Sequence, residues 1–134
     1  MSDTKGLTNV FICGSAMRGQ PDHQNLQGAR FLGESKTAPV YRLHAVADGW
    51  HPGIYEVEQG GVSIPGELYA LTPEQYSHLK DSEPPNMYPK DVQLEDGGVA
   101  IAFLYPKALV DENNWVDISS YGGWAAYKAA STQN

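Results

Sequence analysis

The chain has 134 residues, of which 41% are hydrophobic and 19% charged, with 14 glycines and 9 prolines. This length and composition predict one globular domain over residues 1–134, with many turns. A formal charge of −7 disfavours nucleic acids and anionic membranes as partners, and no apolar run approaches the roughly 20 residues of a membrane span. The single cysteine, Cys13, excludes an internal disulfide framework and favours a reducing cytoplasm.

Short apolar runs predict strands along most of the chain. The first, Leu7–Cys13, is rich in β-forming residues and stops at Gly14, and residues 14–25 follow as a long polar loop. Compact domains usually connect their elements in about 4 to 6 residues, so a loop of this length is either functional or misassigned. Further strands are predicted at Ala29–Glu34, Pro39–Val46, Gly53–Val57 and Val62–Leu71.

Two glycine-containing turns predict hairpins. Gly60-Gly61 lies between two of these strands, and the Asp96–Gly98 turn joins strands predicted over residues 91–94 and 99–105. These connections are too short for a crossover helix, so each strand pair is expected to be antiparallel.

A capping box predicts where the first helix begins. Thr72 is a favourable N-cap, Pro73 fits the first helical position, and Gln75 completes the box with Thr72. The helix is expected to continue to about Lys80 and to end before Pro84-Pro85, because a residue that precedes proline disfavours helical backbone.

A second helix is expected near the C-terminus. It begins after Ser119 or Ser120 and carries Trp124 and Tyr127 on one face. Strands outnumber helices and pair locally, which predicts an α+β domain built around a curved or closed antiparallel sheet.

The segment Cys13–Gly19, CGSAMRG, contains the best candidate binding loop. A glycine directly after a buried strand lets the backbone turn, so that successive N–H groups point at one spot and form an anion-binding nest. A carboxylate or a developing oxyanion would fit there. The alternative is a glycine-containing turn without a ligand, which is the commoner case for such a segment taken alone.

Glu83 is the candidate acid–base residue, because it lies just past the predicted end of the first helix. The C-terminal end of a helix carries about half a negative charge, so a carboxylate there breaks a local rule, as functional residues often do. The neighbouring side chains of Pro84, Pro85, Met87 and Tyr88 would desolvate the carboxyl and raise its pKa. The alternative is a solvated acidic turn.

Other polar residues give weaker predictions. The four histidines lack the spacing of a metal site, so no metal and no cofactor are expected. Ser15 with Asp22 and His23 lacks the strand–turn–helix context of a nucleophilic serine. Arg18 and Arg42 are candidates to bind a carboxylate, although solvated arginines are more common.

Several stretches, taken together, resemble the γ-glutamylcyclotransferase-like superfamily. Residues 10–23, VFICGSAMRGQPDH, are similar to that family's first strand and its Tyr-Gly-Ser/Thr-Leu loop, and the RGQP run within them is similar to the γ-glutamylamine cyclotransferase branch. Residues 53–55 and 66–69 are similar to its middle strands, and residues 79–88 resemble its Leu-Asp-x-x-Glu segment with the tyrosine that follows. These matches keep the family's order over most of residues 8–105.

The C-terminal segment carries a second resemblance. Residues 117–127, DISSYGGWAAY, are similar to the C-terminal end of allophanate hydrolases, whose last domain shares the cyclotransferase-like fold. The chain therefore resembles a free-standing relative of that domain. The resemblance implies an α+β domain with a small antiparallel or mixed β-barrel and flanking helices, and a pocket between the first loop and Glu83.

The resemblance also implies a reaction. In this family a glutamate acts as acid and base while the first loop holds the substrate, and here these roles fall to Glu83 and to residues 13–17. Carried over, Glu83 would deprotonate the α-amine of a γ-glutamyl amine or related amide, and that amine would attack the γ-carbonyl and release 5-oxoproline. The implied substrate-binding residues are Cys13, Gly14, Ser15, Ala16, Met17 and Tyr88.

Two positions depart from the family's first-loop motif. Cys13 replaces its tyrosine and Ala16 its leucine, and in allophanate hydrolases the position of Ala16 is often a histidine implicated in decarboxylation. A second hypothesis is therefore a non-catalytic binding or assembly module, which would form a homodimer or bind an amidohydrolase partner and would use residues 117–130 for that association. Glu83, which those hydrolases often lack, favours the enzyme.

Overall fold

The computed structural model describes residues 7–20, 22–47 and 49–131. The strands are β1 Thr8–Ile12, β2 Arg30–Lys36, β3 Tyr41–Val46, β4 His51–Glu56, β5 Pro65–Leu71, β6 Tyr88–Gln93 and β7 Val99–Leu104. The helices are α1 Pro73–Ser82, α2 Lys107–Asn113 and α3 Trp124–Ser131, with short 3₁₀ turns at His23–Leu26 and Ser119–Tyr121. Every strand predicted from the sequence is present, with ends that shift by no more than three residues. None of the helices in the described ranges is long and apolar enough to cross a membrane.

Five strands form one mixed sheet in the order β2-β5-β1-β7-β6, and β3 pairs with β4 in a separate two-stranded sheet. The β1–β7 pair is parallel, and the other pairs are antiparallel. The predicted α+β class is confirmed. Over the described residues, the edge strands β2 and β6 meet at one bridge just past their ends, between Thr37 and Leu94. The strand pairing does not close the sheet into a barrel, and the barrel therefore stays a prediction.

The hairpin predicted at Gly60-Gly61 is wrong, because β4 pairs with β3 whereas β5 pairs with β1 and β2. This turn instead carries the chain closely over the start of β3. A Cβ atom on Gly61 would lie 2.5 Å from the Cα atom of Val40, and Gly60 has a φ of 77°, in the left-handed region that favours glycine. The Asp96–Gly98 hairpin is confirmed, and it joins β6 to β7.

Strand β1 lies between β5 and β7 in the sheet and fixes where the first loop begins. Its last three residues, Val10, Phe11 and Ile12, are buried, as a continuous apolar run is in a sheet covered on both faces. Ile12 pairs with Glu67 of β5 at the end of the strand. The candidate loop therefore leaves the sheet from an anchored strand.

Helix α1 forms as its sequence predicts. The Thr72 hydroxyl accepts a hydrogen bond from the Gln75 backbone N–H at 3.1 Å, and the Gln75 side chain accepts one from the Thr72 N–H at 2.9 Å. Leu79 is the buried residue of the helix and packs into the core. The helix ends at Ser82, and the next residue, Glu83, has extended backbone with a ψ of 145°.

The C-terminal part of the chain differs from its prediction in two ways. Helix α2 was not predicted, because it is short, it has proline at its N-cap, and Val110 is its buried residue. The helix expected after residue 119 or 120 is divided into the second 3₁₀ turn and α3. Gly122 and Gly123 separate these two pieces, with φ angles of 86° and 128° in the left-handed region.

The segment that follows α2 is joined to β3 by polar contacts and to the core by apolar ones. Asp117 lies 2.9 Å from the Arg42 guanidinium and 3.4 Å from Nε2 of His44. Ile118 and Trp124 are buried in the main core, with 0% and 2% of their surface exposed. The segment that resembles allophanate hydrolases is therefore part of the folded domain.

Candidate functional site

A cavity of about 340 Å³ opens where β1 ends, beside the C-terminal end of α1. Its apolar residues come from the sheets, from α1 and from the chain after it, namely Phe11, Ile12, Ile54, Leu79, Ala102, Phe103, Pro84, Pro85 and Met87. The first loop contributes Cys13–Ala16, and the start of β4 contributes His51 and Pro52, with Trp50 before them. Asp22 and Glu83 are the acidic residues of the lining, and among its described residues none is a lysine or an arginine. The lining is more apolar than polar, as small-molecule sites usually are, and its other polar side chains are those of Ser15, Asn25, His51 and Ser82.

The Glu83 carboxyl group lies in this cavity and is partly buried. Burial raises its pKa to about 7, and the charge of Asp22 acts in the same direction. Pro84, Pro85 and Met87 line the cavity beside it, as the sequence predicted. Tyr88, the fourth predicted neighbour, is not in the lining. At neutral pH this carboxyl group can both accept and donate a proton, which an ordinary glutamate does poorly.

In the first loop, the backbone carbonyl groups of residues 14–16 accept hydrogen bonds within the protein, whereas the N–H groups of the same residues have no described acceptor. The carbonyl of Gly14 accepts from the Met17 N–H at 3.1 Å, and that of Ser15 accepts from the Asp22 N–H at 2.9 Å. Nδ1 of His23 donates to the carbonyl of Ala16 at 2.9 Å. No described residue accepts a hydrogen bond from the N–H groups of Gly14, Ser15 or Ala16. These three donors are available to an anion, as the nest prediction requires.

Gly14 allows the loop to lie against β4. A Cβ atom at this position would be 2.5 Å from Cγ and 2.9 Å from Cδ of Pro52, closer than real side chains approach. The glycine is therefore needed for a close approach rather than for a left-handed backbone. It brings residues 14–16 and residues 51–52 together as two neighbouring walls of the cavity.

The far end of the loop is held by a carboxylate of β5. The backbone N–H of Arg18 donates to Oε1 of Glu67 at 2.9 Å, its Nε donates to Oε2 at 2.8 Å, and the Tyr69 hydroxyl donates to Oε1 at 2.9 Å. Burial acts to raise the Glu67 pKa, but the bonds from Arg18 and Tyr69 outweigh it, so the pKa stays below its ordinary value. The Arg18 guanidinium also lies 3.9 Å from the centre of the Phe31 ring. Arg18 thus orders the loop and does not line the cavity.

Glu67→Gln is expected to destabilise the protein by about 1–3 kcal/mol, because one donor from Arg18 or Tyr69 would then face an amide NH₂ group in a buried place. Thermal unfolding of the purified variant measures the change. Glu34→Gln is the matched control, since Glu34 lies 3.5 Å from the same guanidinium with 82% of its side chain exposed. Equal effects of the two substitutions would contradict the role given to Glu67.

The structure gathers five of the predicted site residues around the cavity, namely Cys13, Gly14, Ser15, Ala16 and Glu83. Two others lie elsewhere: Met17 is buried in the core, and Tyr88 begins β6 with 39% of its surface exposed. Neither is in the lining of the cavity, where the neighbouring Met87 is found.

Cys13 is a buried thiol of this lining rather than a reactive one. Only 8% of its surface is exposed. Burial raises its pKa to about 12, and the Glu83 charge adds to the effect. At neutral pH the thiol is protonated, so Cys13 is a poor nucleophile.

The remaining candidates have internal partners. Arg18 binds Glu67 and Arg42 binds Asp117, so both guanidinium groups already hold carboxylates of this chain. His23 bonds the backbone of the loop through Nδ1, which gives it a structural task there. Within the described ranges, no group of three or more His, Cys, Asp or Glu residues could hold a metal ion.

Sequence reasoning missed the wall formed by residues 50–52. Trp50 stands at the rim with 60% of its surface exposed, and its ring contacts the ring of His51 edge-on at 5.1 Å. A lone histidine at the start of a strand has no pattern that distinguishes it from a core residue. The close approach of Pro52 to Gly14 becomes visible only after β1 and β4 are placed.

Known proteins resemble this chain in sequence. The sequence pattern of the allophanate hydrolase C-terminal domain matches residues 8–129. A Vibrio cholerae protein with the provisional name gamma-glutamylcyclotransferase is 30% identical over 112 residues, which cover 79% of this chain and 93% of that protein.

Two solved structures have similar folds. A uropathogenic E. coli-specific protein superposes with a TM-score of 0.84 and 29% identity, covering 92% of this chain and 96% of that one. The allophanate hydrolase of Kluyveromyces lactis gives a TM-score of 0.84 and 26% identity over 92% of this chain. The matched part is 21% of that hydrolase, so most of that enzyme has no counterpart in this chain.

Proposed function

This chain belongs to the family of the allophanate hydrolase C-terminal domain, within the γ-glutamylcyclotransferase-like superfamily, and on that premise we propose that it releases 5-oxoproline from a γ-glutamyl amine or a related amide. The observation that carries the proposal is the cavity, which is lined by Glu83, with its desolvated carboxyl, and by residues 14–16, whose N–H groups have no acceptor among the described residues. The cavity thus offers one proton-transfer group and one anion-binding loop.

The raised pKa of Glu83 makes it a useful base. An α-ammonium group has a pKa of about 8 and an ordinary glutamate one of about 4.3, so proton transfer between them costs about 5 kcal/mol. With the pKa of Glu83 at about 7, the same transfer costs about 1.4 kcal/mol. Most of the barrier to forming the nucleophile is thereby removed before the reaction begins.

The reaction then needs no other proton carrier. Glu83 takes a proton from the α-ammonium, and the free amine attacks the γ-carbonyl carbon to close a five-membered ring. The bond between that carbon and the amide nitrogen breaks, and the protonated Glu83 gives its proton to the leaving nitrogen. The ring nitrogen loses its second proton to the departing amine, so the products are 5-oxoproline and an ammonium ion.

The first loop would bind the negative charge that this substrate carries or develops. No lysine or arginine is among the described residues that line the cavity, so a carboxylate would be held by neutral donors, and the backbone N–H groups of the first loop are donors of this kind. The N–H groups of Ser15 and Ala16 are fixed in place, because they share peptide planes with the carbonyls of Gly14 and Ser15, which are bonded elsewhere in the loop. Donors that are fixed beforehand stabilise an oxyanion without a cost of reorganisation.

The proposal is tested by a mass-spectrometric screen for 5-oxoproline across a panel of γ-glutamyl amines and dipeptides. Glu83→Gln is expected to lower release from the best substrate by about a hundredfold or more, the usual effect of losing an acid–base residue. Asp81→Asn is the matched control, because Asp81 is exposed in the last turn of α1. It should release 5-oxoproline at the unaltered rate.

Two outcomes would overturn the proposal in different ways. Unchanged release by Glu83→Gln would remove the role given to Glu83 and keep the activity. No release across the panel would favour the second candidate, a binding module, which is supported by the neutral thiol of Cys13 and the methyl group of Ala16. Neither side chain supplies proton chemistry at the two positions where the family's motifs carry a phenol or an imidazole.

A further inference from the structure

We infer that His51 is a hydrogen-bond acceptor of the cavity and that it binds an N–H group of the ligand, which makes the site selective for amides that carry a hydrogen on nitrogen. This inference rests on the proposed function, since it assumes that the cavity takes a γ-glutamyl substrate. It adds a binding residue on the wall formed by β4, apart from Glu83 and the first loop.

The tautomer of His51 follows from its own backbone neighbour. Nδ1 lies 2.9 Å from the carbonyl oxygen of Pro52, and a carbonyl oxygen only accepts hydrogen bonds, so Nδ1 carries the hydrogen. In a neutral imidazole the other nitrogen, Nε2, is then a bare acceptor. Burial lowers the pKa of His51, which keeps the ring neutral at physiological pH.

The acceptor faces the cavity. No described residue makes a hydrogen bond to Nε2 of His51, and among the described residues no buried side-chain nitrogen or oxygen atom lacks a partner. Nε2 therefore has accessible surface, although the residue as a whole is 96% covered, with 4% exposed. Since His51 lines the cavity, that accessible surface belongs to it.

The ring is held in one orientation. Trp50 packs against it edge-on with ring centres 5.1 Å apart, and Tyr105 packs on it at 5.7 Å. With Nδ1 bonded to Pro52, the ring has little freedom to turn Nε2 away. An acceptor fixed in this way discriminates better than a mobile one, because it stays unpaired when the ligand offers no donor.

The ligand chemistry follows from the two kinds of polar group. The first loop supplies donors, which suit a carbonyl or a carboxylate oxygen, and His51 supplies an acceptor, which suits an N–H group. A secondary amide carries both groups on adjacent atoms and points them in opposite directions, so each can meet a different wall of the cavity. An ester of the same shape has an oxygen where the amide has its N–H, and would leave Nε2 of His51 unpaired.

The test compares two probes of nearly the same shape, γ-glutamylethylamide and the γ-ethyl ester of glutamate. Their dissociation constants are measured by NMR titration of Glu83→Gln protein, in which turnover is expected to be slower by about a hundredfold or more. We expect the amide to bind about tenfold more tightly than the ester, or better, because the ester leaves a buried acceptor unpaired. In protein that also carries His51→Phe, the ratio of the two dissociation constants should fall close to one. His51→Gln, which keeps an acceptor, should restore part of the preference for the amide.

A control variant and a measurement made without either probe separate failure of this inference from failure of the proposed function. His78→Gln, on the exposed face of α1, should leave the preference unchanged. Long-range nitrogen–proton spectra of the unaltered protein should show His51 with its hydrogen on Nδ1, and a hydrogen on Nε2 would overturn the inference whatever the variants do. Equal binding of the two probes, or a preference that survives His51→Phe, would overturn this inference alone. Failure of both probes to bind would overturn the proposed function as well.

Discussion

Glu83→Gln is expected to stabilise the protein by about 3 kcal/mol at pH 8 and to leave its stability nearly unchanged at pH 4. The folded protein holds the Glu83 proton up to a pKa of about 7, whereas the unfolded chain loses it near 4.5. Between these values the folded state binds more protons, so the stability of the unaltered protein falls as pH rises. Glutamine carries no charge and removes this loss. Chemical unfolding of both proteins across pH 4 to 8 measures the difference.

Asp81→Asn is the control for this series as well. Asp81 stands at the same end of α1 but is exposed, so its substitution should change stability little. If Glu83→Gln does not raise the free energy of unfolding at pH 8, the Glu83 carboxyl is solvated and is a poor base for the proposed reaction. The same ionisation sets the acid side of the activity profile, where release of 5-oxoproline should fall about tenfold per pH unit below 7.

Stability and activity are thus opposed at one residue. A charged carboxylate in an apolar cavity is unfavourable for folding at neutral pH, and the proposed reaction uses that unfavourable charge to take a proton from the substrate. A plain structural domain would have no use for such a group. A more stable and inactive Glu83→Gln protein would therefore distinguish a catalytic carboxyl from an incidental one.

The features that the sequence predicted correctly depend on neighbouring residues. The capping box of Thr72 and Gln75 fixes the start of α1 through bonds within one turn, and the Asp96–Gly98 turn fixes a hairpin through its own backbone. The placement of Glu83 beside the first loop came from the family resemblance, and the cavity contains both. Local sequence patterns were enough to predict the helix start and the hairpin, and the family motif was enough to predict the position of Glu83.

The features that the sequence did not predict depend on long-range packing. Gly60-Gly61 has the composition of a hairpin turn, but β5 pairs with β1 and β2 and not with β4, and these partners lie far from it in the sequence. The parallel pairing of β1 with β7 joins strands at opposite ends of the chain. His51 shares the cavity with Glu83 because β4 lies against the first loop, and no spacing in the sequence records that approach.

The second hypothesis, an assembly module, gave the C-terminal segment a role in binding a partner. Within this chain, residues 117–124 are already engaged: Asp117 pairs with Arg42, and Ile118 and Trp124 lie in the core. Removing the segment would therefore open the core and unfold the domain, so a lost association would have two explanations. Substitutions that separate buried from exposed residues of the segment are the sharper test.

Trp124→Ala is expected to destabilise the protein by about 3–5 kcal/mol, the usual cost of removing a fully buried tryptophan side chain. Thermal or chemical unfolding measures this loss. Tyr121→Ala is the matched control, because Tyr121 belongs to the same segment with 47% of its surface exposed, and it should change stability far less. A small effect of Trp124→Ala would contradict the packing described for α3.

The same pair of variants also tests assembly. Val116 and Tyr121 are the exposed large apolar residues nearest to the buried Ile118, so an interface on this segment would use them. If Tyr121→Ala keeps its stability but changes the mass of the protein in solution, the segment binds a second copy through its outer side. If neither stability nor mass changes, the outer side of the segment is ordinary surface, and the segment serves the protein by completing the core that supports the cavity.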